Sequence, residues 1–177
     1  MNHSTPIALG AVLLATACAS PLTPQVPDTL KPAANETLAM IVAAKGVQIY
    51  ECRARKDGTG VEWAFVAPDA DLFDTRGLAI GRHGAGPTWQ ARDGSRIVGT
   101  VQARADAPHS GANPGAIPWL LLTTKSTAAK GAFSATTSIQ RVNTVGGVAP
   151  ATGCSADAAG NTARVPYTAD YVFYTAR

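Results

Sequence analysis

Four residues of this chain are of the types from which a catalytic or anion-binding site is assembled: His83, Asp93, Arg141 and Asn143. A histidine with a carboxylate to orient it can act as a general base, and an arginine beside an amide suits a bound carboxylate or phosphate. Asp93 is the acid nearest to His83 in sequence, yet it falls at the far end of a hairpin, which favours a histidine that serves the local backbone. Arg141 and Asn143 follow Ile139 at alternate positions and so continue an inward strand face. A charge entering a core is seldom left unpaired, and Glu51, after Val47 and Ile49, is the natural partner. An internal ion pair fixing strand register is the plainer reading of Arg141, and an anion pocket the functional one. Trp89, Trp119, Tyr50 and Tyr167 could line a groove for a sugar or aromatic ligand, although large aromatics in a β protein are more often core.

Other chemistries find little support. His83 is the only histidine within a motif, since His3 lies in the leader and His109 in a polar loop, and no HxH or HExxH pair occurs. The cysteines have no histidine at ligand spacing, so no metal site is expected. The acidic stretch 69–74 (DADLFD) lacks the glycine and terminal glutamate of a calcium loop and reads as a solvated loop. Gly84 and Gly86 lie between strands without a third glycine or a following helix, and no GxSxG elbow exists, so no nucleotide cofactor and no hydrolase of that type is supported. The net charge of +3 is spread along the chain, without the basic run of a nucleic-acid or polybasic membrane surface.

The elements that must position these residues are strands. Residues 83–99 (HGAGPTWQARDGSRIVG) dictate a hairpin. Ile97, Gly99, Val101 and Ala103 alternate with Val98, Thr100, Gln102 and Arg104, so the odd-numbered side is the better core face, shared with Trp89 and Ala91. A three-residue loop, Arg92 to Gly94, pairs Trp89 with Ile97 and puts Gly94 in the left-handed conformation. Val61, Trp63, Phe65 and Ala67 form a strand that Pro68 ends. Residues 38–42 and 47–55 are strand candidates around a turn at Gly46, although TLAMIVAAK suits a short helix as well. Residues 117–124 (IPWLLLTT), apolar on both faces, read as an interior strand. Phe133, Ala135, Thr137 and Ile139 follow a Gly131 turn, and Val165, Tyr167, Ala169, Tyr171 and Phe173 make the last strand. Eight to ten short strands without an amphipathic helix predict an all-β antiparallel sandwich or barrel.

Residues 7–17 (IALGAVLLATA) are too short to span a bilayer but fit the apolar part of a secretory signal, despite the absence of Lys or Arg in residues 1–6. Ala15-Thr16-Ala17 permits ordinary cleavage, while Leu14 to Cys18 resembles a lipoprotein lipobox with Ala15 in place of the usual Leu. Lipidation at Cys18 is the favoured outcome, because a cysteine at the cleavage point is otherwise unexplained. The Pro-rich stretch from Ala19 to Asn35 then reads as a tether. Setting Cys18 aside leaves Cys52 and Cys154, which would be either a disulfide closing a long loop or two buried thiols.

The motifs GVQIYEC (46–52), HGAGPTWQARDGS (83–95), IPWLLL (117–122), IQRVNTVGGVAP (139–150), Cys154 and VPYTADYVFY (165–174) together resemble the domain-of-unknown-function 3455 family of exported bacterial and fungal proteins. The resemblance runs from about Val26 to the end and carries no activity with it. It does include Cys52 and Cys154, which strengthens the disulfide. The family's central motif usually has an aromatic after the histidine, where this chain has Gly84.

The expected organisation is a signal peptide (1–17), a lipid-bearing Cys18 with a tether (18–35) and one all-β domain (36–177). The expected function is a cell-envelope binding or structural module, anchored in the periplasm or outer membrane or else secreted. It would take a small-molecule or envelope ligand, with no nucleic acid and no cofactor, and the oligomeric state is left open. The alternative is a secreted enzyme built around His83, Asp93, Arg141 and Asn143, with Trp89 and Trp119 as further ligand contacts.

Overall fold

In the computed structural model, which describes residues 24–108 and 115–177, eight antiparallel strands follow one another around a closed barrel. They are β1 (Glu36–Ala54), β2 (Val61–Phe73), β3 (Ala79–Gly84), β4 (Thr88–Ala91), β5 (Arg96–Ala105), β6 (Trp119–Ser126), β7 (Thr136–Gly146) and β8 (Thr162–Ala176). β8 hydrogen-bonds back to β1 along most of its length, which resolves the sandwich-or-barrel alternative and leaves no open sheet edge. Short 3-10 turns at Asp28–Leu30 and Ala156–Ala158 are the helical elements of the described residues.

The β4–β5 hairpin has the predicted register. Trp89 pairs with Ile97, Gly94 adopts φ +86°, and the Ala91 amide donates to the Ser95 carbonyl at 2.9 Å. Its odd-numbered core face ends earlier than expected, because the register shifts between Val101 and Ala103 and turns Ala103 toward the outside of the barrel.

Four expectations are corrected. Gly46 is no turn, and its neighbourhood is no helix: β1 runs unbroken through it. β2 approaches so closely that a Cβ at Gly46 would overlap the backbone of Asp69 and Ala70, so the glycine is needed for proximity. The stretch 69–74 is no solvated loop, since β2 continues to Phe73. Ala70 and Leu72 face the core, while Asp69 and Asp71 on the outside pair with Arg82, and Asp69 also with Arg164. Pro68 does not end the strand, because it follows the register shift beside Ile49 and Tyr50, where a bulge tolerates proline. Lastly, β7 starts only at Thr136, and Phe133 precedes it as a buried plug in the connection from β6.

The barrel core holds Val42, Leu72, Trp89, Ile97, Ile139 and Phe173 among others. A second apolar cluster lies outside the sheet, where Leu30 covers Trp119, Val142, Val172 and Tyr174. Gln140 Nε2 donates to the Leu30 carbonyl at 2.6 Å and accepts from the Tyr174 hydroxyl at 2.8 Å. This cover explains why residues 117–124 are apolar on both faces. It also means that chain before Glu36, within the stretch read as a tether, packs against the barrel.

Candidate functional site

The β3–β4 hairpin sets His83 directly opposite Trp89 on the inner face of the sheet, and its turn places Gly86 and Pro87 at one end of the barrel. A cavity of about 540 Å³ opens at that end. Its floor is made of buried Gln48, His83, Trp89, Leu122 and Tyr171, and Arg141 lines it from β7. Phe65, Val66 and Val101, each about half exposed, form an apolar rim with Arg104. Gly99 lets the Trp89 indole lie across the wall, since a Cβ there would come within 2.8 Å of Trp89 Cζ3.

The aromatic floor is tightly interlocked. His83 stacks on Trp89 with centroids 4.4 Å apart, and Tyr171 meets both rings edge-on at 4.9 and 5.4 Å. His83 Nδ1 lies 2.8 Å from the Thr88 carbonyl, which can only accept, so Nδ1 carries the proton and Nε2 a lone pair. Burial pushes the His83 pKa down to about 3, so the ring is neutral near pH 7 and a weak base there. Burial likewise raises the pKa values of Tyr50, Tyr167 and Tyr171 and keeps these hydroxyls protonated.

Among the described residues, Arg141 is the one cation of the inner wall, and no Asp or Glu lines the cavity. Its Nε and Nη2 donate to the carbonyl of Pro118 at 3.1 and 2.8 Å. Glu51, its expected partner, is on the other side of β1: Tyr50 and Cys52 are buried within, so the residue between them faces out. Two further donors are incomplete among the described residues, since the buried Gln48 Nε2 and Trp89 Nε1 have no acceptor. Gln48 lies near enough to the Tyr167 hydroxyl to favour its ionised form, but not in hydrogen-bonding geometry. Those two N–H groups are sealed from the cavity space, so what the wall offers a guest is the positive charge of Arg141.

Of the residues singled out in the sequence, His83, Trp89, Arg141 and Tyr50 meet at this cavity. Tyr167 is buried in the core beneath it, its hydroxyl 3.4 Å from that of Tyr171. Asp93 sits in the β4–β5 turn at the other end of the hairpin, where its carboxylate accepts from the Ser95 hydroxyl and the Ala132 amide at 2.6 and 2.7 Å. Asn143 does not continue the inward face. It takes φ +50° in a bulge between Val142 and Val145, and its Nδ2 donates to Asp170 outside the barrel at 2.8 Å. Trp119 belongs to the outer cluster, away from the cavity. Gln48 and Tyr171 escaped the sequence reading. An amide on the otherwise apolar even-numbered face of β1 was the available signal for Gln48.

Cys52, at the end of β1, is bonded to Cys154 in the β7–β8 connection, with Cα atoms 5.3 Å apart. Cys18, His3, His109 and the leader lie outside the described residues.

A family model described as "Protein of unknown function (DUF3455)" matches residues 32–175. The chain belongs to this family. The DUF3455 span contains the cavity and both bridging cysteines. No curated protein and no solved structure matches the chain. At Gly84, a Cβ would meet only Thr88 Oγ1, at 3.8 Å, so the fold itself does not demand glycine.

Proposed function

We propose that this protein is an exported binding module that takes a small organic molecule into the open end of its barrel and is held at the cell envelope by a lipid on Cys18. The observation that carries the reading is a cavity of about 540 Å³ with a buried floor of His83, Trp89 and Tyr171 and the Arg141 guanidinium in its wall. Eight-stranded barrels have an interior wide enough for one small ligand, and this volume lies within the range of small-molecule sites. Export is supported by the apolar run 7–17 and by a disulfide, a bond that persists in oxidising compartments. With Cys18 anchored, the twelve residues to buried Leu30 would keep the barrel within about 40 Å of the membrane.

The rival reading, a secreted enzyme, rests on His83 and Arg141 alone, because Asp93 and Asn143 are engaged elsewhere. Native mass spectrometry of protein purified from its own envelope tests the binding module. A single small molecule at one per chain, released on denaturation, is expected; a bare polypeptide that also fails to retain any compound from envelope extract overturns the reading. Fatty-acid labelling tests the anchor, and it should vanish in Cys18→Ser. Equal membrane association of both forms without label would mean a product cleaved after Ala17.

A further inference from the structure

Resting on that reading of the cavity, we infer that its ligand is an amphipathic monocarboxylate, bound head first with the carboxylate at Arg141 and the apolar body toward the rim. Three observations converge. Among the described residues the inner wall has one formal charge, Arg141, whose hydrogen bonds go to the neutral Pro118 carbonyl, and no acid lines the cavity to balance it. A cation in a partly buried wall without a counter-ion favours an anionic guest, because an arginine–carboxylate contact strengthens as water is excluded. His83, stacked on Trp89 in the floor, is neutral and adds no second charge, so the interior matches one negative charge. A phosphate monoester would bring a second charge that nothing inside meets.

Polarity also runs in one direction along the cavity. Phe65, Val66 and Val101 keep about half of their surface exposed at the mouth, whereas Arg141 is partly buried beside the buried rings of His83 and Tyr171. An apolar body would cover that rim, and Arg104 beside it would draw anions toward the opening.

Calorimetric titration at pH 7.5 with decanoate, decanol and decylammonium decides the matter. Decanoate is expected to bind at least tenfold more tightly than decanol, with decylammonium weakest. Arg141→Gln should bring decanoate down to the decanol level while decanol affinity holds, and Arg141→Lys should retain a preference for the acid. Equal affinity of wild type for decanoate and decanol would overturn the carboxylate inference and leave the binding cavity standing. Failure of all three to bind would overturn both. Should Arg141→Gln not fold, the wild-type comparison still gives the answer.

Discussion

The imidazole of His83 lies against the indole of Trp89 with planes inclined by only 18°, because the two residues face each other across β3 and β4. Burial in this stack lowers the histidine pKa from 6.5 to about 3. Between these values the unfolded chain binds the proton and the folded chain does not, so stability is complete above pH 6.5 and is lost as pH falls toward 3. From pH 6.5 to 5 the loss should be about 2 kcal/mol. Urea unfolding of wild type and His83→Asn at pH 7 and 5 checks this: the variant should lack that part of the slope, and identical slopes would refute it.

Gly99 gives the same indole its room. In Gly99→Ala the new methyl would stand 2.8 Å from Trp89 Cζ3 and 3.1 Å from Leu122 Cδ2, so the ring must shift toward the cavity. Overpacking of this kind should cost about 1–3 kcal/mol. Decanoate affinity should fall with it, and a variant that matches wild type in both denaturation and titration would contradict this account of the wall.

The bridge between Cys52 and Cys154 joins residues 102 apart in sequence. On the chain-entropy model its reduction should lower stability by about 4–5 kcal/mol. Dithiothreitol is expected to reduce the unfolding midpoint of wild type and to leave the Cys52→Ala, Cys154→Ala double variant unmoved. A wild-type midpoint indifferent to the reductant would show that the loop gains nothing from closure.

Leu30 is fully buried on the outside of the barrel, against Trp119, Val172 and Tyr174. Leu30→Ala should therefore destabilise by about 2–5 kcal/mol, the range of buried leucine truncations. Thermal unfolding measures it. No change would mean that the folded unit starts only at Glu36.

Features set by neighbouring residues were open to reading. The three-residue loop ending in Gly94, with Trp89 and Ala91 before it and Ile97 after it, determines the hairpin register and so which side chains share a face. The same alternation marked Arg141 as an inward charge, and Cys52 with Cys154 was the even pair left after Cys18. His83, Trp89 and Arg141 thus stood out before the cavity that joins them was known.

What only the tertiary structure decided depends on segments far apart in the chain. Pairing of β8 with β1 closes the barrel and creates an inside, which no local pattern can announce. Gly46 looks like a turn until β2 lies against it, and Asp69 and Asp71 look like a loop until Arg82 and Arg164 neutralise them. One bulge turns Asn143 outward while Arg141, two residues earlier, stays at the cavity, and the alternation predicts the same side for both. Bulges and closure answer to the geometry of the whole ring, because each extra residue in one strand must be absorbed by its neighbours' twist and register. The sequence by itself therefore determined the all-β character, the hairpin register and the even pair of cysteines, and the tertiary structure decided where the strands run and which of the polar side chains face a common space.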